Sequence, residues 1–281
     1  MAEDKNQTHY FLDGNPEELE RLQLGQEIIS DCFGKLVLAP VDLETPGLRV
    51  LDSATADGLW LRDLCDRSPS SSRDAQTYIG TDITSIYFPK AGIPGVQLYE
   101  QSITKAWPSE WNCTFDLVHQ RMALAAAGKG DVREALQRLI GLVKPGGWIQ
   151  LVEPDHSASS TPAMQDFFKL LSDVFAFMGT STGYATQLQK WLAEEGLESV
   201  EERVFDVPLG KSSRNDALSK KSARMIELVM KGLIEVGRTI PTLLLSATEL
   251  DTLIQRAQEE LAQTGDIFRL HCVWGRKPSN D

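Results

Sequence analysis

A chain of 281 residues, 42% hydrophobic and 24% charged, can bury a sizeable core as one large domain or one domain with an insertion. Its formal net charge of -12 argues against the basic face needed to grip nucleic acid or an anionic membrane, and the thickest basic cluster (Lys220, Lys221 and Arg224, with Lys211 nearby) is too thin to supply one. Cys32, Cys65, Cys113 and Cys272 form no C-x-x-C pair and the histidines are scattered, so neither a disulfide framework nor a metal site is expected. The polar N-terminus lacks the apolar core of a signal peptide and no apolar run is long enough to span a bilayer, which predicts a soluble, cytoplasmic protein.

Asn15 and Pro16, followed by two glutamates, read as a helix start. Leu19, Leu22, Ile29 and Phe33 follow at helical spacing and Gly34 ends the run. Arg49–Asp52 is a short buried strand, Leu59–Cys65 begins a helix, and residues 67–76 form a polar loop. Further strands are expected at Thr77–Thr81, Val96–Tyr99 and Phe115–His119. Asp131 caps a helix whose stripe is Val132, Ala135, Leu136, Leu139, Ile140 and Val143. Residues 144–147 (KPGG) read as a sharp turn before a fifth strand, Trp148–Glu153. Helices are expected over 164–178 and 186–195, a sixth strand over Ser199–Val207, helices over 219–236 and 248–263, and a closing strand over Phe268–Trp274. Strands separated by helices predict a mostly parallel sheet covered on both faces.

Open sheets of this kind bind ligands beyond the carboxyl ends of their strands. The loop after the first strand, Asp52–Gly58 (DSATADG), has an acid at the strand end and small residues at Ala54, Ala56 and Gly58. It resembles the cofactor loop of class I S-adenosylmethionine-dependent methyltransferases, in which glycines occupy those alternate positions. The two alanines depart from that pattern. Where such a position needs positive φ, a Cβ costs roughly 1–2 kcal/mol. After the second strand, Asp82 suits a grip on two ribose hydroxyls, with Ile83 against adenine. After the third, Ser102 and Ile103 lie where the resemblance implies an acid for the adenine amino group, so Ser102 supplies a hydrogen bond without charge.

The residues 107–111 (WPSEW), 115–121 (FDLVHQR) and 142–154 (LVKPGGWIQLVEP), with Tyr10–Asp13 and Glu18, Arg21 and Leu22, are similar to small methyltransferases of fungal secondary metabolism, including N-methyltransferases of epipolythiodiketopiperazine pathways. The resemblance covers residues 10–155 and, more faintly, the chain to 277. It implies a Rossmann-like α/β fold with a seven-stranded, mostly parallel sheet in one domain of 281 residues. That domain divides into an N-terminal helical lid (1–40), a core sheet (41–210), a helical cover (211–265) and a last strand with tail (266–281). It implies S-adenosylmethionine as cofactor and a small secondary metabolite as partner, the amide nitrogen of a cyclic dipeptide first and oxygen or sulfur acceptors next. The candidate cofactor residues are Tyr10, Asp52, Ala54, Ala56, Gly58, Asp82, Ile83, Ser102, Ile103 and His119.

His119, Gln120 and Arg121, at the end of the fourth strand, are the candidate catalytic residues. His119 has two readings: it positions the acceptor or takes its proton, or it orders a loop beside the cofactor. Glu153, Asp155 and His156 stand second to them. Phe167, Phe168, Phe175, Phe177, Met178, Met225 and Met230 are read as core, some of them as pocket wall. Two other functions stay open at this level: a methyltransferase fold turned to cyclisation, rearrangement or elimination, motivated by Ala54, Ala56 and Ser102, and a non-enzymatic regulatory protein.

Overall fold

The structure, a computed structural model, describes residues 17–67, 76–128, 132–159 and 161–279. Seven strands form one sheet: β1 (Arg49–Ser53), β2 (Thr77–Asp82), β3 (Val96–Glu100), β4 (Phe115–Arg121), β5 (Val143–Asp155), β6 (Glu198–Leu209) and β7 (Asp266–Arg276). Their order is β3-β2-β1-β4-β5-β7-β6. All neighbours are parallel except β7, which runs antiparallel to β5 and β6. Central strands covered on both faces need apolar residues at nearly every position. Val50, Leu51, Leu117 and Val118 accordingly have no exposed surface. Polar side chains enter at the carboxyl ends, where Asp52 and Ser53 of β1 stand opposite His119 and Gln120 of β4.

Helices α1 (Glu18–Phe33), α2 (Leu59–Arg67), α3 (Val132–Leu142), α4 (Pro162–Met178), α5 (Leu188–Glu194), α6 (Asp216–Gly237) and α7 (Ala247–Gln263) flank the sheet. A capping box sets the start of α7: the Ser246 hydroxyl accepts the Glu249 N–H, and the Glu249 carboxylate accepts the Ser246 N–H. The α1 helix lies along α6, where Arg224 reaches Glu17 at 3.0 Å and Glu20 at 2.9 Å. These exposed pairs fix register more than they add stability. No helix of the described residues is long and apolar enough to cross a membrane.

The turn expected at residues 144–147 is instead a bulge inside β5, which extends from Val143 through Asp155. The pairing of β5 with β4 shifts register between Phe115 and Leu117. Gly147 makes this possible, because a Cβ there would stand 2.9 Å from the Phe115 carbonyl oxygen. The tail completes the pairing: Lys277 N–H donates to the Gly147 carbonyl at 2.9 Å. The helix expected over 186–195 is shorter, a 3₁₀ turn (Ala185–Gln187) leading into α5.

Candidate active site

The sheet reverses its strand order between β1 and β4, which opens a crevice at their carboxyl ends. There His119 Nδ1 lies 2.7 Å from Asp52 Oδ1, and the Thr55 hydroxyl donates to Asp52 Oδ2 at 2.6 Å. A carboxylate only accepts, so Nδ1 carries the hydrogen and Nε2 is the acceptor. Trp60, in the first turn of α2, stacks on the imidazole with centroids 3.8 Å apart and planes within 3°. Burial holds the His119 pKa below its ordinary value, against the opposing pull of Asp52, so the ring is neutral at pH 7.

Alternation along β4 separates the three residues expected to act together. His119 and Arg121 line the crevice. Gln120 points to the opposite face, has no exposed surface, and accepts the Ser53 hydroxyl at 3.0 Å.

The loop after β1 turns sharply twice. Ala54 has φ 59° and Ala56 φ 52°, so both alanines occupy the left-handed region that favours glycine. Their side chains line the crevice. Asp82 Oδ2 accepts the Ala56 N–H at 2.8 Å, tying the end of β2 to this loop. Burial raises the Asp82 pKa, and the backbone N–H groups of Ala56, Thr84 and Ile83 oppose the rise. Gly58 does not face the crevice. It has φ 75°, and a Cβ would stand 2.6 Å from Ile93 Cδ1. Its requirement comes from backbone conformation and packing.

Ile83, Ser102 and Ile103 line the next stretch of the wall. The Ser102 hydroxyl is 2.9 Å from that of Thr104, within its own turn. From here a continuous cavity of about 560 Å³ runs past Asp82, Asp52 and His119 to the end of β5 and on between α4 and α6. At the end of β5, Glu153 Oε1 accepts the Ala123 and Leu124 N–H groups at 3.1 Å each, and Tyr184 donates to Oε2 at 2.7 Å. Burial pushes the Glu153 pKa up to about 7 and the His156 pKa down to about 4.

The chain matches no family model. It is 32% identical over 277 residues to the N-methyltransferase gliN of Aspergillus fumigatus, covering 96% of each chain. It is 33% identical to the N-methyltransferase sirN of Leptosphaeria maculans, covering 100% of this chain and 99% of that one. The chain belongs to the S-adenosylmethionine-dependent methyltransferases. Among solved structures, the phosphoethanolamine N-methyltransferase 2 of Haemonchus contortus, in complex with phosphomonomethylethanolamine and S-adenosylhomocysteine, superposes with a TM-score of 0.57. At 13% identity, over 97% of this chain and 60% of that one, it shows the shared class I fold.

The residues of this methyltransferase fit the cofactor. Alanine methyls leave the crevice floor low at 54 and 56, an acid closes the end of β2, and the cavity is of ligand size. No group of three or more histidine, cysteine or acidic side chains suited to a metal occurs among the described residues. Tyr10 lies outside the described residues. The structure brings Asp52, Ala54, Ala56, Asp82, Ile83, Ser102, Ile103, His119 and Arg121 to one cavity, and leaves Gly58 and Gln120 out of its lining. Of the second-rank residues, Glu153 and His156 line it and Asp155 does not. Phe167, Phe168, Phe175, Met178 and Met225 form part of the wall, whereas Phe177 is 56% exposed and Met230 belongs to the core.

The methyltransferase also uses side chains that sequence reasoning passed over. Thr55 and Trp60 hold the Asp52–His119 pair, and Tyr184 holds Glu153. The first two sit in or just after the cofactor loop, and a hydroxyl three positions beyond the strand-end acid was the available signal for Thr55. Tyr184 carries no local signal, since its partner stands on a different element.

Proposed function

We propose that the enzyme methylates a nitrogen of a small, uncharged secondary metabolite, with the amide nitrogen of a cyclic dipeptide as first choice. The observation that carries this reading is the far end of the cavity. Phe167, Phe168, Phe175 and Met178 of α4 face Met225 and Val229 of α6 there, a wall suited to a neutral compound bearing an aromatic group. The names of the N-methyltransferases gliN and sirN support nitrogen as the accepting atom.

When bound, S-adenosylmethionine supplies a methyl group activated on a sulfonium. The chain's own part is to bind, align and exclude water. Asp82 takes the ribose hydroxyls, Ile83 and Ile103 take the adenine faces, and Ser102 faces the adenine edge. Ala54 and Ala56 bring the backbone close. His119 is a positioning residue, because it is committed to Asp52 and stacked against Trp60. Gln120 supports Ser53 from the far side of the sheet.

The test incubates the purified protein with trideuteromethyl S-adenosylmethionine and a panel of aromatic cyclic dipeptides, each with its fully N-methylated counterpart. Tandem mass spectrometry is expected to find the label on a ring nitrogen, with none on the N-methylated compounds. Label found on hydroxyl or thiol groups of substituted analogues, with the nitrogens untouched, overturns the nitrogen assignment.

A further inference from the structure

The aromatic end of the cavity is poor in polar groups. Among the described residues, β5, α4, α6 and the segments between them give it three polar side chains: Glu153, His156 and Tyr184. Two of these are committed. Tyr184 gives its one proton to Glu153, which has no exposed surface and also accepts the Ala123 and Leu124 N–H groups. His156, just beyond β5, differs. Its ring lies against Phe168 and Phe175, with centroids 5.4 and 6.4 Å away, so it stands within the aromatic wall itself. Its Nδ1 is buried and has no hydrogen-bond partner among the described residues. Burial outweighs the pull of Asp155 and of the Thr182 backbone, so the ring is neutral at pH 7. A neutral imidazole has one N–H and one lone pair. The Thr182 backbone favours the protonated ring, as a carbonyl does, and so suits the N–H. The lone pair is left without a donor.

A buried acceptor without a donor costs free energy, and in a cavity wall the donor that satisfies it comes with the ligand. An aromatic cyclic dipeptide brings such a donor. Its ring carries two amide N–H groups, of which one is methylated. The second enters the same water-poor wall, where leaving it unpaired is costly. We infer that His156 accepts the hydrogen bond of this second N–H, and that it is a specificity-determining residue that seats the substrate with the reacting nitrogen toward the methyl group. His156 takes no proton in this role, and a substrate already methylated on the second nitrogen is selected against. This inference rests on the reading of the aromatic end of the cavity as the seat of a cyclic dipeptide.

The test is titration calorimetry of the full chain with the cyclic dipeptide of phenylalanine and glycine and with its two mono-N-methyl forms. S-adenosylhomocysteine is present throughout, so that no methyl group is transferred. The wild type is expected to bind one mono-N-methyl form on the order of 10-fold or more weakly than the parent, and the other close to it. His156→Phe is expected to lose a similar factor on the parent and to discriminate no longer between the parent and that form. His156→Asn keeps part of the discrimination, since its carbonyl accepts the same hydrogen. Thermal unfolding of His156→Phe is expected at or above the wild-type temperature, because an aromatic ring remains against Phe168 and Phe175 while the orphaned acceptor is gone. Equal wild-type affinity for the parent and both mono-N-methyl forms overturns the inference and needs no variant. So does a His156→Phe protein that keeps the wild-type discrimination. A wild type that binds none of the three overturns the choice of a cyclic dipeptide, and this inference with it, which is a different result.

Discussion

Asp52 and His119 stand opposite each other on β1 and β4, and their 2.7 Å hydrogen bond spans the point where the strand order reverses. The pair therefore locks the two strands whose ends carry the cofactor loop and the crevice wall. His119→Phe keeps a ring against Trp60 and removes the donor to Asp52. The buried carboxylate keeps Thr55 but loses its donor on Oδ1, which is expected to cost on the order of 1–3 kcal/mol in urea unfolding. The wild type should also lose stability in acid. The folded imidazole binds its proton less readily than the unfolded one, whose ordinary value is near 6.5, so below that pH the unfolded state gains more protons. His119→Phe is expected to show a shallower loss between pH 7 and 5. Parallel pH profiles for the two proteins would contradict the assignment.

The cofactor loop allows a contrast between positions that look alike in sequence. Ala54 and Ala56 both have positive φ, which costs roughly 1–2 kcal/mol for a residue with a Cβ. Replacing either with glycine removes that strain but gives the unfolded chain more freedom, worth about 0.4–1 kcal/mol in the other direction. Ala56→Gly should thus change stability by about 1 kcal/mol or less and tighten S-adenosylmethionine binding. Gly58→Ala should destabilise by more than 1 kcal/mol, because it adds strain at φ 75° and places a methyl 2.6 Å from Ile93 Cδ1. Calorimetry and thermal unfolding on the two variants separate these effects.

The contrast also shows what the sequence could and could not convey. The strand ends were legible because buried runs such as Val50–Leu51 and Leu117–Val118 stop at polar residues, and the loops that follow are local. Asp82 was legible for the same reason. Gln120 was misplaced because the fourth strand was expected to end at His119. Since the strand continues to Arg121, side-chain alternation sends Gln120 to the other face. Gly58 reads as a cofactor contact from its spacing, whereas its packing partners, Ile93 and Leu98, lie beyond β2. The bulge in β5 was hidden because residues 144–147 carry the composition of an ordinary turn. Contacts between distant elements, such as Tyr184 with Glu153, leave no periodic trace.

Asp82 is expected to be the acid on which cofactor affinity depends most. It also accepts the Ala56 N–H, so Asp82→Asn should weaken the loop and the ligand grip together. Loss of a charged hydrogen-bond partner is worth about 1.5–3 kcal/mol, which corresponds to roughly 10- to 150-fold in the dissociation constant of S-adenosylhomocysteine. Because burial raises the Asp82 pKa, cofactor affinity of the wild type should decline in acid earlier than an ordinary aspartate would dictate. Asp82→Asn should lack that decline. An unchanged dissociation constant in the variant would remove Asp82 from the site.

Glu153 offers a test of the opposite sign. Its pKa rises from 4.5 to about 7 in the folded protein, so between those values the native state binds more protons than the unfolded one. Stability contributed by this group is full at pH 4.5 and below, declines as pH rises, and has gone by about pH 8. The difference is about 3 kcal/mol, at about 1.36 kcal/mol for each tenfold change in proton affinity. Glu153→Gln preserves the local bonding: its carbonyl accepts the Ala123 and Leu124 N–H groups and its amide donates to the Tyr184 oxygen. The variant is therefore expected to fold, to match the wild type near pH 5, and to exceed it at pH 8 in urea denaturation. A variant that falls below the wild type at pH 8 would mean that the native state holds Glu153 ionised, with its hydrogen-bond donors outweighing the burial that raises its pKa.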